Sequence, residues 1–504
     1  MKKMYITTPI YYPSARPHLG HLYSTLLADV IARWYRLQNK KVFFTTGTDE
    51  HGQKIAQAAG AHNQSPQQFL DTIVPVYKDL WKQYEISNDL FVRTTNPAHI
   101  EGVVAWINLL KKNGDIYKDF YRGWYCVPCE MFVADIQDSP EPVTCTSCGR
   151  NTEQISEESY FFKLSSYQEK LLDWYAKNPH WIVPHERAAE VVSFVSAGLR
   201  DLSISRSSTA VTWGIPFPGD SAQMVYVWAD ALNSYITAAG YGSSPVDQFT
   251  QLWPADIQIL GKDILRFHAV YWPAFLMAAG LELPKKLLVH GWITVNNQKM
   301  SKSLGNSIYP QDLLTNFHPD TVRYYLIKQC AITHDGSVSI PDLERHIETD
   351  LANNLGNLLN RISTIAVTNN FGTLSSSCDT TVYEQGIQLL REYQKYMELG
   401  TLHMALTRVW KYIQELNGYV HAHEPWKLVK TDLGQAREVI YSAAHGLALV
   451  GVVLSPFMPE KMEVLLKSMG ISGSLNTVFT EWDIKPGAYT FTRIPPLFIK
   501  PEHK

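Results

Sequence analysis

The sequence predicts an α/β protein with a parallel-sheet domain in two halves, a cysteine-bearing insertion between the halves, and an all-helical C-terminal domain. Strand, helix, strand patterns occur in both halves, four cysteines cluster between them, and helical patterning dominates towards the C-terminus. At 504 residues the chain is too long for a single hydrophobic core. The predicted segments are 1–115 (first half), 116–224 (insertion), 225–295 (second half), 296–345 (loop and linker region) and 346–504 (helical domain).

The first half begins with two strands joined by a helix. Met4 to Ile10 is β-prone, and the segment KVFFTTGTDEHG is typical of a second strand. Between them, apolar residues recur on one helix face at positions 22, 26, 27, 30, 31, 34 and 37. This succession indicates a βαβ unit, and repeated units of this kind predict a parallel sheet covered by helices.

The second half repeats the pattern. Ile257 to Leu260 predicts a strand, Gly261 a tight turn, and the residues after it a helix. The segment KLLVHGWITV predicts one further strand. We therefore expect both halves to contribute strands to a parallel-sheet domain.

The composition restricts the classes of function. Hydrophobic residues make up 45% of the chain, charged residues 18%, and the formal net charge is −3. This balance indicates neither a polyanion nor a membrane surface as a general partner. The N-terminal segment MKKMYITTPIYYP lacks the apolar run of a secretory signal, and we expect no 18-residue apolar span elsewhere. We expect a cytoplasmic protein without a membrane partner.

The motif HLGH stands at the N-terminus of the first predicted helix. His18 and His21 are three residues apart, so both can donate hydrogen bonds from one side of the first turn, and Gly20 lets a ligand approach the backbone. A helix N-terminus after a strand favours phosphate. A zincin-like metal site is excluded, because it needs two histidines four apart with an adjacent glutamate. Helix capping and packing remain an equal alternative for this motif alone.

The segment NNQKMSKSLGN contains two lysines, Lys299 and Lys302, in a polar stretch rich in Asn and Gly. Such a loop can close over a polyphosphate. The alternative is an ordinary solvated basic loop.

The cysteines predict a structural zinc site. Cys126 and Cys129 form one CxxC pair, Cys145 and Cys148 form another, and four thiolates complete a closed tetrahedral shell. The alternative, two disulfides or idle thiols, is disfavoured in a reducing compartment. Cys330 stands apart from the cluster, and so does Cys378.

Several segments carry a family resemblance. HLGH and KMSKS are the paired signatures of class I aminoacyl-tRNA synthetases. In order along the chain, the segments are TTPIYYPSARPHLGH, FTTGTDEHGQKI, YVWADALNSY, LGKDILRFHAVYWPAFL, GWITVNNQKMSKSLGN and DLANNLGNLLNR. Together they resemble the methionyl-tRNA synthetase family. The resemblance implies a Rossmann-type catalytic domain that activates L-methionine with ATP and Mg2+ and transfers it to tRNA(Met), the initiator included.

The resemblance also implies roles for individual residues. His18 and His21 would hold ATP phosphates with Gly20 nearby, and Lys299 and Lys302 would act on the leaving pyrophosphate. The implied ammonium ligand is Asp49, and the implied ATP-ribose ligand is Asp263. The implied pocket for the methionine side chain is Ile10, Tyr12, Trp228, Tyr235, Phe267, His268 and Trp272.

Two details of this pocket stay open. Either Tyr12 or Tyr235 offers a hydroxyl to the methionine sulfur, while Phe267 and Trp272 are as consistent with core packing as with direct contact. Position 232 is Leu where many family members carry Pro, which affects the edge of the pocket.

In the helical domain, Asn357, Arg361 and Trp426 match family positions that read the CAU anticodon. An aromatic platform beside an amide and a guanidinium suits an unstacked RNA base. Locally, a solvated arginine and a helix-entry tryptophan behind Pro425 explain the same residues. The chain stops at Lys504 without an oligonucleotide-binding-fold extension, so we expect a monomer.

Three rival functions share some of these sequence features. A tRNA-binding paralogue without catalysis would not need intact HLGH and KMSKS motifs. A nucleotidylyltransferase shares HxGH but needs neither the cysteine pairs nor a helical domain. Another class I synthetase would differ in the amino acid that supports activation.

Overall fold

A computed structural model describes residues 3–127, 130–133, 143–145, 148–243, 246–296, 298–299, 308–471 and 487–500, with the side chains of 246, 247 and 299 left out of the description. The chain divides into two units. The first unit comprises Met1–Ala28, Val42–Lys82 and Asn88–His290. The second comprises Asp29–Lys41, Gln83–Ser87 and Gly291–Lys504.

The elements between residues 4 and 290 lie in the first unit, except that residues 29–37 and Gln83 belong to the second. The strands are β1 (Met4–Tyr11), β2 (Val42–Thr48), β3 (Leu90–Arg93), β4 (Ile116–Cys126), β5 (Met131–Phe132), β6 (Glu153–Phe162), β7 (Ile182–Val183), β8 (Leu202–Ser203), β9 (Ser205–Ser207), β10 (Pro216–Phe217), β11 (Asp220–Val225), β12 (Ile257–Gly261) and β13 (Leu287–His290). The helices are α1 (Leu19–Leu37), α2 (Gln53–Ala61), α3 (Pro66–Gln83), α4 (Pro97–Asn113), α5 (Gln168–Lys177), α6 (His185–Ser196), α7 (Val227–Ala231), α8 (Ser234–Ala238), α9 (Val246–Leu252) and α10 (Trp272–Ala278).

The central sheet has six parallel strands in the order β3-β2-β1-β12-β13-β7. Every residue of β12 and β13 is buried, as expected of strands covered by helices on both faces. The predicted strand at Met4 to Ile10 is confirmed as β1. Strand β7 comes from the segment predicted as an insertion and forms one edge of the sheet.

The rest of that insertion forms antiparallel sheets. One has four strands in the order β5-β4-β6-β8, and the other has three in the order β10-β11-β9. β4 pairs with β6 from Ile116 opposite Phe162 to Tyr125 opposite Glu153, which places the cysteine region at the end of a long hairpin. The insertion therefore presents its cysteines on a rigid two-stranded support.

Two sequence expectations are wrong in detail. The segment KLLVHGWITV forms two strands in separate sheets, β13 and Ile293–Val295, rather than one. After β13, a Cβ at Gly291 would lie 2.4 Å from the His334 carbonyl oxygen, so only glycine allows this close backbone approach. The helix expected after Gly261 opens into a π-helical turn at Phe267–Tyr271, because Pro273 has no N–H to continue α-helical bonding.

The second unit contains the remaining elements. The strands are β14 (Ile293–Val295), β15 (Gln298–Lys299), β16 (Gly336–Val338), β17 (Thr373–Leu374) and β18 (Tyr489–Thr490). The helices are α11 (Pro310–Leu313), α12 (Pro319–Gln329), α13 (Ile340–His346), α14 (Asn357–Thr368), α15 (Thr380–Leu399), α16 (Leu402–His423), α17 (Pro425–Leu428), α18 (Leu433–Leu454) and α19 (Pro459–Ser468). A π-helical segment, Ile347–Gly356, joins α13 to α14.

Helix α18 corrects one further expectation. By length and composition it is apolar enough to cross a membrane, so the prediction that the chain has no such span is wrong. Within the structure, 89% of its apolar window is buried. A Cβ on Gly446 would lie 2.5 Å from Leu416, which shows how closely α16 packs there. The helix is apolar on all sides because it is the core helix of the bundle.

Candidate active site

The carboxyl ends of three neighbouring strands define a crevice in the first unit. Strands β2, β1 and β12 are adjacent and parallel, so their ends at Thr48, Tyr11 and Gly261 lie at one edge of the sheet. Strand order reverses between β1 and β12, and such a switch point is where open α/β sheets bind ligands. The segments that follow these ends are 12–21, 49–52 and 262–268.

His18 and His21 stack at the start of α1, with ring centroids 3.6 Å apart. The Gly20 N–H donates to His18 Nδ1 (3.1 Å), and the His18 N–H donates to His21 Nδ1 (3.4 Å). Since both Nδ1 atoms accept, each neutral ring carries its proton on Nε2. The pair therefore offers two Nε2–H donors at a helix N-terminus.

Both histidines are neutral near pH 7. The crevice walls withdraw water from His18, which lowers its pKa to about 4 although part of the side chain stays exposed. Asp263 opposes this shift and Lys54 adds to it. Burial also lowers the pKa of His21 well below its usual value, helped by the charges of His18 and Lys54. An anion bound here would raise both pKa values.

Gly20 is required by space. A Cβ at this position would lie 3.0 Å from His18 Cε1 and 3.1 Å from His18 Nδ1. A larger residue would push the His18 ring from its place above His21.

Asp49 follows β2 and is buried, with 4% of its surface exposed. Its Oδ1 atom has no hydrogen-bond partner among the described residues. Burial raises the pKa of Asp49 well above the usual value, and the negative charges of Asp230 and Glu130 raise it further. An organic cation beside Oδ1 would restore the ionised carboxylate, so the position suits an ammonium group.

Glu50, the next residue, holds the Asp49 loop in place. Its carboxylate accepts from Thr48 Oγ1 (2.7 Å), Thr95 Oγ1 (2.5 Å) and Arg93 Nε (2.7 Å). Its carbonyl accepts from Trp213 Nε1 at 2.7 Å. These contacts fix the backbone beside Asp49.

A buried acid between two histidines anchors the other end of this loop. Asp230 Oδ2 accepts from His51 Nδ1 at 2.7 Å, and Oδ1 accepts from His99 Nε2 at 2.6 Å. Burial alone would raise the pKa of Asp230, but the two histidines outweigh it and lower the pKa to about 2. Sequence reasoning missed this cluster, and the motif spacing carries no signal for it.

Aromatic side chains predicted for the methionine pocket pack against one another. Trp228 and Phe267 stack at 3.7 Å between ring centroids with 13° between their planes. Tyr235 contacts Trp272 (5.9 Å). Trp272 is fully buried, whereas Ile10 at the end of β1 is half-buried. The structure thus places Trp228 against Phe267, and Tyr235 against both His268 and Trp272.

The hydroxyls of Tyr12 and Tyr235 both act as donors within the protein. Tyr12 donates to Glu130 Oε2. Tyr235 lies 2.7 Å from His268 Nε2, and His268 Nδ1 donates to the Ile264 carbonyl at 2.9 Å. Burial lowers the pKa of His268 to about 4, so its ring is neutral and Nε2 must accept from Tyr235. In this arrangement both hydroxyl protons are donated to groups within the protein.

Asp263 is exposed in a turn of 3₁₀ helix directly after β12. Its charge acts on His18 and on His268. Asp263 thus follows a strand whose carboxyl end borders the crevice.

Three of the four clustered cysteines are described. The Sγ atoms of Cys126, Cys145 and Cys148 all lie within 4.8 Å of one another, and Cys126 and Cys148 are 3.6 Å apart. This is too long for a disulfide and close to the ~3.8 Å between thiolates that share a tetrahedral zinc ion at ~2.3 Å. The three thiols can hold a metal ion. Cys129, the fourth predicted ligand, lies outside the described residues.

The side chains of both predicted lysines lie outside the residues that the structure describes. Lys299 ends β15, and its side chain is outside the described residues. Lys302 is outside them entirely. Strand β15 pairs with β14, which pairs with β16, so the chain enters the predicted loop from a strand of a small three-stranded sheet.

The second unit contains an open cavity of about 560 Å³. Its lining comprises Asn357, Asn360, Arg361, Thr364, Ile365, His421 and Trp426. The Arg361 guanidinium lies 5.8 Å from the Trp426 ring centre. The structure brings the three residues predicted for anticodon binding together, and adds His421 and Asn360, which the sequence analysis missed although Asn360 shares the NLLNR segment.

Known families match the chain in two parts. The family described as "tRNA synthetases class I (M)" matches residues 4–363. The family described as "Anticodon binding domain of methionyl tRNA ligase" matches residues 372–485. The first match alone spans more than half of the chain.

Individual relatives agree with these matches. The Methionine–tRNA ligase of Thermotoga maritima is 40% identical over 512 residues, covering 100% of this chain and 81% of that protein. That of Streptomyces coelicolor is 40% identical over 527 residues, covering 100% of this chain and 97% of that protein.

A solved structure also matches along nearly the whole chain. The structure of Mycobacterium tuberculosis methionyl-tRNA synthetase in complex with methionyl-adenylate has a TM-score of 0.94 at 36% identity, covering 99% of this chain and 100% of that chain. The match confirms the predicted fold class. On the family matches and these relatives, the chain belongs to the methionyl-tRNA synthetase family of class I aminoacyl-tRNA synthetases.

Proposed function

We propose that this chain attaches methionine to tRNA(Met), including the initiator, in two steps through methionyl-adenylate. One observation carries the proposal: stacked Nε2–H donors at His18 and His21 share a crevice with the unpartnered carboxylate oxygen of Asp49 and an aromatic wall. Phosphate donors, an ammonium acceptor and an apolar pocket are the groups that activation of an apolar amino acid by ATP requires.

In the first step, the methionine carboxylate oxygen attacks the α-phosphorus of ATP, and pyrophosphate leaves. No proton transfer is needed, so the site acts by positioning and by stabilising charge. The Nε2–H groups of His18 and His21 donate to phosphate oxygens as negative charge moves towards the leaving group. Asp263, at the end of β12, binds the ATP ribose.

Asp49 fixes the amino acid by its ammonium group. Burial and neighbouring carboxylates raise the pKa of Asp49, so the protein alone disfavours its ionised form. An incoming ammonium favours the ionised form, so substrate binding and ionisation of Asp49 reinforce each other. The carboxylate of methionine is then held facing the phosphate site.

The side chain of methionine lies against Trp228 and Phe267, with Tyr235 and His268 beside them. A thioether is a weak acceptor and a flexible apolar chain, so the pocket selects it mainly by shape and by contact with aromatic rings. A pocket of this kind discriminates only ~1–3 kcal/mol per methylene, and we expect homocysteine and norleucine to be activated weakly.

We propose that the metal held by the cysteine cluster is one zinc ion, with Cys129 as fourth ligand. The S···S separation of 3.6 Å between Cys126 and Cys148 supports this. When bound, zinc in a closed thiolate shell supplies structural support to the insertion and has no open position for chemistry. Mg2+ enters with ATP as its counterion.

Lys299 and Lys302 neutralise the leaving pyrophosphate. Their position in the KMSKS segment supports this role. Lys302→Ala should depress adenylate formation with little change in methionine affinity, and an equal loss of methionine binding would count against a phosphate role.

In the second step, the terminal ribose of tRNA attacks the adenylate carbonyl and AMP leaves. The cavity around Trp426 binds the anticodon, where Trp426 offers a stacking surface and Arg361 and Asn357 offer donors to base edges. We propose a cytoplasmic monomer that works on no membrane. Light scattering on a size-exclusion column should give the mass of a single chain, and twice that mass would overturn the monomer.

The decisive test is ATP–pyrophosphate exchange with each of the twenty amino acids in turn. Exchange should be strongest with methionine. Exchange with another amino acid would keep the mechanism but discard the pocket assignment, and no exchange with any would favour a tRNA-binding protein without catalysis.

A further inference from the structure

Glu130 has no role in the proposed reaction, yet its carboxylate is buried at the crevice, with 2% of the residue exposed. It belongs to the cysteine-bearing insertion. Its Oε2 accepts from the Tyr12 hydroxyl, and its Oε1 accepts from the Lys54 backbone N–H at 2.8 Å. One carboxylate thus joins a residue after β1 to the first turn of α2.

The backbone of Glu130 is fixed in an uncommon conformation. Its φ of +48° lies in the left-handed region, which costs a non-glycine residue free energy and persists only where surrounding contacts hold it. Those contacts are hydrogen bonds from its N–H to the Val127 carbonyl (3.1 Å) and from Tyr226 Oη to its own carbonyl (2.6 Å). The side chain is therefore aimed at the crevice by its own backbone.

The segment after β2 leaves space for this carboxylate at Gly52. Gly52 has a φ of +101°, and a Cβ there would lie 2.8 Å from both carboxylate oxygens of Glu130. Only glycine leaves room for the carboxylate against the GTDEHG loop that carries Asp49. The fit is specific to this pair of residues.

The same carboxylate orders groups on both sides of Asp49. The Tyr12 ring is held by its hydroxyl, and the Lys54 ammonium lies 5.0 Å from the centre of that ring. Glu130 also adds negative charge to the surroundings of Asp49. A cationic ammonium entering between these groups gains from both carboxylates.

We infer that Glu130 is a positioning residue for methionine: through Tyr12, Gly52 and Lys54 it fixes the loops around Asp49, so that the insertion completes the amino-acid site. This inference rests on the proposed function. The carboxylate of Glu130 accepts from Tyr12 and from the Lys54 N–H and lies against Gly52, on the side of Asp49, so its effect should fall on methionine rather than on ATP.

The test is pyrophosphate exchange with methionine and ATP varied separately. Glu130→Gln keeps the size but weakens both accepted bonds, and should raise the KM for methionine about tenfold while the KM for ATP stays within about twofold. The matched control is Glu158→Gln, a glutamate on β6 of the same insertion with a 47% exposed side chain, which should behave as wild type.

A second, more conservative variant distinguishes a loss of positioning from a loss of folded protein. Tyr12→Phe removes only the donor hydroxyl and should raise the KM for methionine in the same direction. Both changes disrupt the same hydrogen bond, from the Tyr12 hydroxyl to the Glu130 carboxylate. The methionine KM of the double variant should therefore be little higher than that of Glu130→Gln alone. Thermal unfolding of each variant is measured alongside.

The outcomes separate this inference from the proposed function. Unchanged methionine KM in both single variants, additive effects in the double variant, or equal losses for ATP and methionine with a lowered unfolding temperature would each overturn the inference. Wild-type protein that exchanges with methionine keeps the proposed function in every one of these cases. Wild-type protein that fails to exchange would instead remove the function itself.

Discussion

The polar groups of the crevice in the first unit and of the cavity in the second differ in burial and in hydrogen bonding. In the crevice, the carboxylates of Glu50, Glu130 and Asp230 accept hydrogen bonds from other side chains or the backbone. Asp49 Oδ1 is buried without a partner among the described residues. In the cavity, Asn357, Asn360 and His421 are exposed. The crevice is preorganised around one charge, whereas the cavity displays several donors to solvent.

The difference follows from the ligands. A small flexible amino acid has little area to bury, so its binding depends on a desolvated charge held rigidly. An RNA base brings a flat ring and polar edges, so it needs an accessible stacking surface and donors that can adapt. Substitutions in the crevice should therefore have larger effects than substitutions in the cavity.

The largest effect is expected for Asp49→Asn. Removing one partner of a buried charge pair should lower kcat/KM for methionine by about 100-fold or more, measured by pyrophosphate exchange. The folded pKa of Asp49 is raised, so its ionisation destabilises the fold as pH rises above the unfolded value. The variant should therefore unfold at an equal or higher temperature at pH 7 despite its inactivity.

The control for Asp49→Asn is Asp173→Asn, an acid on α5 with a 61% exposed side chain. It should change neither exchange nor unfolding. A loss of stability in Asp49→Asn, or retention of normal methionine kinetics, would contradict the role of the unpartnered oxygen.

The next largest effect is expected for Trp426→Ala, measured in the transfer step. Loss of one stacking surface costs ~1–3 kcal/mol per base, so kcat/KM for tRNA should fall about 10- to 100-fold while exchange is unchanged. Trp426→Phe keeps a ring and should recover most of the loss. Unchanged aminoacylation of tRNA by Trp426→Ala would mean that Trp426 only packs beside Pro425.

A smaller effect is expected for Gly20→Ala. The new Cβ crowds the His18 ring at 3.0 Å, so we expect the KM for ATP to rise about fivefold with little change for methionine. Gly60→Ala in α2 meets nothing within 4 Å and is the matched control. Equal behaviour of the two variants would show that His18 tolerates displacement.

The smallest effect is the titration of His18, followed by NMR with His18→Gln for assignment. The folded pKa of about 4 is below the unfolded value, so the fold loses stability as pH falls from about 6.5 towards 4. We expect a midpoint near 4 that rises when ATP is added. A midpoint near 6.5 without ATP would mean that the crevice does not desolvate the ring.

The features predicted from sequence are those with local patterns. HLGH, the cysteine pairs and the strand of Met4 to Ile10 are contiguous, so their residues meet in the structure by helix, hairpin or strand geometry alone. Helix α18 was expected within the all-helical domain, but its apolar length was underestimated because polar residues such as Ser442 and His445 interrupt the apolar run.

The residues missed are joined over long separations. Asp230 lies 179 positions from His51, and Glu130 lies 118 positions from Tyr12. Their partnerships depend on how the insertion returns to the sheet and on the left-handed backbone at position 130. No spacing rule specifies such contacts, although Glu130 directly follows a predicted zinc ligand.

The most direct test of the whole account is transfer of radiolabelled methionine to tRNA(Met) transcripts that carry either CAU or an altered anticodon, with exchange followed in the same protein preparation. The account predicts efficient charging of the CAU transcript, a strong loss with the altered anticodon, and exchange that does not depend on the transcript. Equal charging of both transcripts, or no charging of either, would contradict the division of labour between the crevice and the cavity.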